Sequence, residues 1–151
     1  MANTQAMCTS FKSEILTGTH NFGVAPIRAA TTADTFKAAL YLASGSQGAG
    51  TTAYAVTNEV TGTNYTAGGV SVTNATVPTT SGTTAYWTPS ASITYTNVTL
   101  TTAFDCVLIY NSTQSNKAVS VHTFGSQTVT AGTFSLTMPT NGAGTALLNI
   151  A

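Results

Sequence analysis

Charge is almost missing from this chain. Of its 151 residues only 5% are Asp, Glu, Lys or Arg, against roughly 25% in an average soluble domain. They can be named in full: Lys12, Arg28, Lys37 and Lys117 against Glu14, Asp34, Glu59 and Asp105, for a formal net charge of zero. Recognition of a phosphate backbone needs several Lys or Arg gathered on one face, so nucleic acid is excluded as a partner. The same scarcity excludes a basic patch that would hold an anionic membrane surface. Long apolar runs are missing too. No stretch of about 20 apolar residues is available to span a bilayer. The start MANTQAMCTSFKSEIL lacks a basic segment leading into an apolar one, so no signal peptide is expected.

Reactive side chains are equally sparse. The histidines are His20 and His122, and the cysteines are Cys8 and Cys106. Hydrolysis needs a nucleophile, a base and a group that orients the base. His122 lies in AVSVHTF, out of phase with Val119 and Val121, and is expected as a half-exposed strand residue. Asp105 and Cys106 are adjacent in an apolar strand and point to opposite faces, so they form no dyad. Glycosidase chemistry would require two of Glu14, Asp34, Glu59 and Asp105 to converge, and no second carboxylate lies near Glu59 in the sequence. There is no His-x-His, no Cys-x-x-Cys and no acidic loop cluster for a metal. The glycines at 45, 48 and 50 and at 62, 68 and 69 lack the following helix and Lys of a phosphate cradle and read as turn residues. Cys8 and Cys106 are expected as buried free thiols. The sequence therefore predicts a protein that is not an enzyme, with no cofactor, no metal and no small-molecule substrate.

What the chain does have is hydroxyl and amide. Thr makes up roughly a fifth of it, and the branched Cβ of Thr suits a pleated strand. Leu, Ile, Val and Phe together are about a fifth as well. That is low, but disorder also needs high net charge, which is absent. A neutral Thr/Ser/Asn surface has little repulsion to hold copies apart, which favours a protein packed in an assembly.

The pattern predicts one N-terminal helix. Met7, Phe11 and Ile15 fall at i, i+4 and i+8 with Leu16 alongside. Asn3, Thr4 and Thr9 are candidate N-caps, and Gly18 can end the helix. Residues 19–34 read as an irregular connector, so residues 1–34 form a helix and connecting arm. The β domain then spans residues 35–151, and the two parts are expected to make one compact domain overall. TFKAALYLA (residues 35–43) is its first strand, followed by a flexible SGSQGAG loop. Residues 51–69 read as a long ordered loop punctuated by Gly62, Gly68 and Gly69, and loops of that length tend to be functional. Strands follow around Val70 and Val72, Tyr86 and Trp87, Ile93 to Leu100, and FDCVLIY (residues 104–110), the last expected to be central and buried on both faces. AVSVHTF, QTVTA, a tight AGT turn, FSLTM and ALLNIA complete the pattern. About eight short strands with turn signals between them predict a mainly all-β fold, an antiparallel β-sandwich with the jelly roll as one form of it.

The order of motifs carries a resemblance. SFKSEIL is followed by GTHNF, DTFKAALY, TTAY and TNEVTGTNYTAGG, and then by AFDCVLIYN and KAVSVHTFGSQTVTAGTF. The arrangement resembles a family of small virion structural proteins of tailed bacteriophages, across nearly the whole chain. Asn64 stands where a Gly is expected in the loop, and Asn tolerates the left-handed backbone such a position needs. The resemblance implies a virion structural role, with capsid decoration, or cement, as the first choice. The implied location is the capsid surface of the virion, assembled in the bacterial host cytoplasm. The implied partners are the major capsid protein and further copies of the chain as a dimer or trimer. Expected contacts are Met7, Phe11 and Ile15 on the helix and Asn58, Glu59, Val60 and Tyr65 in the loop. Two other classes stay open: a tail, neck or fibre component, and a carbohydrate-binding module using Trp87, Tyr86 and Tyr95 as an aromatic platform. For Trp87 a core position between sheets is the simpler reading.

Overall fold

Alternating Thr and apolar residues build the longest elements, two strands that form one hairpin. The computed structural model describes residues 2–16, 18–22, 33–73 and 76–151, apart from the side chains of Lys12, Ser13 and Leu16. In chain order the elements are β1 (Ala6–Met7), α1 (Thr9–Leu16), β2 (Phe36–Leu42), β3 (Val70–Ser71), β4 (Thr79–Ser81), β5 (Thr84–Trp87), β6 (Ile93–Asn111), β7 (Lys117–Leu136) and β8 (Leu148–Ile150). They form a five-stranded sheet, β1-β7-β6-β2-β3, and a three-stranded sheet, β4-β5-β8, with every pairing antiparallel. This is the expected mainly β sandwich. The five-plus-three division does not establish the jelly-roll form.

The strands expected separately between Ile93 and Tyr110 run together as β6, of 19 residues, and those from Ala118 to Leu136 as β7, of 20. The tight turn expected at Ala131-Gly132-Thr133 does not form. Gly132 instead sits opposite Val98 within the ladder, and register shifts on either side absorb the extra residues. Ala131 takes a positive φ of 44°, and its N–H donates to Thr99 Oγ1 at 3.0 Å. A bulge of this kind bends a strand without ending it.

Phe104 to Tyr110 lies between β2 and β7, and six of its seven residues are buried, so both faces are covered as expected. Phe36, Leu40, Leu100, Leu108, Val119 and Val121 are among the fully buried side chains around it. Cys8 and Cys106 are both free and buried, and burial pushes their thiols up to about 11 and about 12, which keeps them protonated and inert.

The N-terminal segment is built into this sheet. Ala6 and Met7 pair with Val121 and Ser120, so the helix starts only at Thr9. Asn3, a candidate cap from sequence, is a brace instead. Its side chain donates to Leu42 O at 3.0 Å and to Asp105 Oδ1, and accepts from Gln47 N–H at 2.7 Å. That bracing orders the SGSQGAG loop, which composition alone marked as flexible. The helix ends as expected: Gly18 has φ 65°, and the N–H groups of Gly18 and Thr19 donate to Ile15 O and Glu14 O at 3.0 and 2.9 Å. The connector residues 23–32 lie outside the described residues.

Gly69 is a position where only glycine fits. Its φ is 68°, and a Cβ there would lie 1.7 Å from Ala38 O. Gly69→Ala is expected to destabilise the fold by more than about 2 kcal/mol, combining a disfavoured backbone with a backbone clash. Gly82, with φ 58° and open space around it, is the control, and Gly82→Ala is expected to cost about 1 kcal/mol. Urea unfolding of both variants checks the contrast.

Candidate functional site

The long loop, residues 51–69, is organised by one carboxylate. A backbone bridge sets Glu59 against Tyr41 of β2. Leu42 N–H donates to Asn58 O at 2.9 Å and Val60 N–H to Leu40 O at 3.0 Å, so the loop runs along β2 like a short extra strand. This places the Glu59 side chain inside, with 5% of the residue exposed. There it accepts three hydrogen bonds: from Tyr54 O–H at 2.6 Å, Tyr65 O–H at 2.8 Å and Gly68 N–H at 2.7 Å. Three donors thus fill lone pairs that burial has taken out of water.

The surrounding tyrosines are held protonated. Burial pushes Tyr54, Tyr65, Tyr95 and Tyr41 upward, and the Glu59 charge adds to the effect at each. Tyr110 is pushed up to about 12 by the same two causes. Their hydroxyls are therefore permanent donors. Tyr41 O–H donates to Ala55 O at 2.6 Å, Tyr95 O–H to Ala38 O at 2.8 Å and Tyr110 O–H to Gly68 O at 2.8 Å. Tyr54 stacks on Tyr110 with ring centroids 4.8 Å apart, and Tyr65 on Tyr95 at 5.9 Å. Asn64 has the left-handed φ of 60° expected of it, and its amide donates to Asn97 O at 2.8 Å.

A second polar network joins the helix to the end of the long hairpin. Glu14 accepts from Lys117 Nζ and from His20 Nε2, the latter at 2.7 Å. The His20 side chain is fully buried, with its ring 4.8 Å from that of Phe11. Its Nδ1 lies 3.1 Å from Asn111 Nδ2, which also donates to Asp34 Oδ2 at 2.8 Å. Burial tends to raise the Glu14 carboxyl, but the hydrogen bonds from Lys117 and His20 outweigh it and hold it below the usual range. Burial lowers His20, against the pull of Glu14.

The expected contact residues separate into two groups. Phe11, Glu59 and Val60 are 1%, 5% and 2% exposed, so they hold this chain together and offer nothing to a partner. The reason is the same at each: α1 and the loop turn these side chains onto the sheet. Asn58 is exposed, Tyr65 and Met7 are half-buried, and Ile15 is exposed. Met7 and Ile15 do not share a helical stripe, because Met7 belongs to β1. The aromatic platform is not displayed. Trp87 and Tyr95 are both 2% exposed, and the indole N–H of Trp87 donates to Thr76 O at 2.9 Å, which is the core role.

Among the described residues no three His, Cys, Asp or Glu side chains gather where a metal ion could sit. None of their helices is long and apolar enough to cross a membrane. One apolar groove of about 170 Å³ lies between α1 and the three-stranded sheet, lined by Phe11, Ile15, Phe22, Trp87, Leu148 and Ile150 among others. Sequence reasoning gave no signal for it, because its walls come from segments more than a hundred residues apart. Comparison with protein families, curated proteins and solved structures finds no match for the chain.

Two predictions follow from these networks. Glu59→Gln replaces an acceptor-only carboxylate with a group carrying its own donors. It is expected to cost about 2–3 kcal/mol in urea unfolding, and Tyr65→Phe about 2 kcal/mol, because the Tyr65 hydroxyl also accepts from Leu40 N–H at 3.0 Å. The second concerns acid. Burial lowers His122, whose Nε2 lies 2.9 Å from Ser120 Oγ, to about 4. An unfolded chain takes up that proton near pH 6.5. Between these values the unfolded state binds more protons, so stability falls as pH falls. The lowered His20 acts in the same direction. Thermal unfolding is expected to show a falling midpoint from neutral pH toward pH 4, and a smaller fall in His122→Gln.

Proposed function

We propose that the chain is a non-enzymatic structural protein of a tailed-bacteriophage virion that decorates the capsid and binds across seams between shell subunits. The observation that carries this reading is where the few charges go. All four carboxylates are engaged within the chain: Glu59 by Tyr54 and Tyr65, Asp34 by Asn111, Glu14 by Lys117 and His20, and Asp105 by Asn3. Among the described residues the exposed surface is mostly hydroxyls, amides and small side chains, with Ile15, Val56, Val77 and Ile150 as its large exposed apolar residues. Such a surface binds by shape, apolar burial and backbone hydrogen bonds, multiplied over many copies. The likeness of motif order to small virion proteins supports the same reading.

Binding of this kind is insensitive to ionic strength. The chain is expected to co-sediment with purified capsids equally well in dilute buffer and in salt on the order of 1 M, where screening is complete within a few ångströms. Release at moderate salt would contradict the proposal. In whole virions its copy number is expected to match the shell subunits. A number matching a tail ring would move the chain to the tail or neck.

A further inference from the structure

We propose that the outer edge of β7 pairs with the same edge of a second copy of this chain, antiparallel about a two-fold axis close to Phe134 and Ser135. The first ground is an unpaired ladder. β1 covers β7 only at Ser120 and Val121, with Cys8 N–H adding a bond to Val119 O. From His122 to Leu136 the outer edge has no strand partner among the described residues. A row of free N–H and C=O groups is a template for another strand.

Native edges are usually blunted by Lys, by Pro, by bulges or by a covering element. This edge has only bulges, and they fall between Tyr95 and Cys106 of the facing strand. They leave Phe134–Leu136 in regular register, opposite Tyr95, Thr94 and Ile93, and Thr133 lies beside the shift between Tyr95 and Val98. The stretch alternates cleanly: Thr133 and Ser135 are exposed, while Phe134 and Leu136 are half-buried. Phe134, Leu136, Val129 and Met138 are partly covered apolar residues at the margin of the core, and an added strand would finish covering them.

Charge argues for a second copy as the occupant. A two-fold axis brings each side chain near its own equivalent, so any charge at the edge would meet its like. From Ala118 to Ala151 the chain has no Asp, Glu, Lys or Arg at all. The edge is thus compatible with itself, and a charged partner strand would find nothing to pair with. This inference rests on the edge alone and stands whether or not the chain binds a capsid.

Sedimentation equilibrium of the full chain tests it. The wild type is expected to dimerise. Thr133→Lys with Ser135→Lys, and separately Thr133→Glu with Ser135→Glu, are expected to weaken dimerisation by on the order of tenfold or more. Mixing the Lys and Glu proteins is expected to restore a dimer, which a misfolded variant would not do. A wild type that stays monomeric at all concentrations overturns the proposal. So does a dimer that both charge variants leave intact, or one abolished by Ile150→Asp, which would place the contact at the apolar groove.

Discussion

The structure hangs on one buried carboxylate. A chain of 151 residues with eight charged side chains still places Glu59 at the centre of its longest loop and closes two tyrosines and a backbone amide over it. A carboxylate taken out of water is tolerated only when its lone pairs are filled. The demand runs in one direction: Glu59 fixes Tyr54 and Tyr65, these stack on Tyr110 and Tyr95, and Tyr95 and Tyr110 tie back to β2 and to Gly68. A segment with almost no regular secondary structure is thereby held as firmly as a strand. Gly69 completes it by letting the loop pass against Ala38 without a side chain between them.

The same economy of charge shapes the surface. Where most domains spread Lys and Glu outward, this one turns its carboxylates toward its own donors and leaves Thr, Ser and Asn facing solvent. The hairpin of β6 and β7 carries the longest part of that face. Its inner half is locked between β1 and β2, and its outer half extends beyond both. Specificity in contacts made by such a face comes from matched shape and matched backbone groups, since few charges are available to reject a wrong partner.

Composition and period made much of this legible. The shortage of charge and the Thr-rich alternation indicated a β-sandwich, and FDCVLIY marked the central strand because its apolar run leaves no polar face. Asn64 announced a left-handed residue. Strand continuity was not legible. Gly125 and Gly132 look like punctuation, yet both lie inside β7, because bulges absorb them and the partner strand continues alongside. The helical stripe misled at Met7, whose spacing to Phe11 suits a helix but whose backbone is claimed by β7. Glu59 looked isolated because its partners are tyrosines, residues that carry no charge pattern to read. Long-range donors of that kind become visible only once β2, β6 and the loop are side by side.

The pairing of Ala6 with Val121 has a consequence for the order of assembly. The hairpin of β6 and β7 closes through a short turn, residues 112–116, and its contacts near that turn are local, so it can form early at little cost in chain entropy. β1 has no such partner nearby. On a ribosome the first strand emerges long before Val121 exists, and it must wait, unpaired, until most of the chain has been made. Pairing of β1 therefore waits on β7, and this edge of the large sheet closes through a long-range contact rather than a local one.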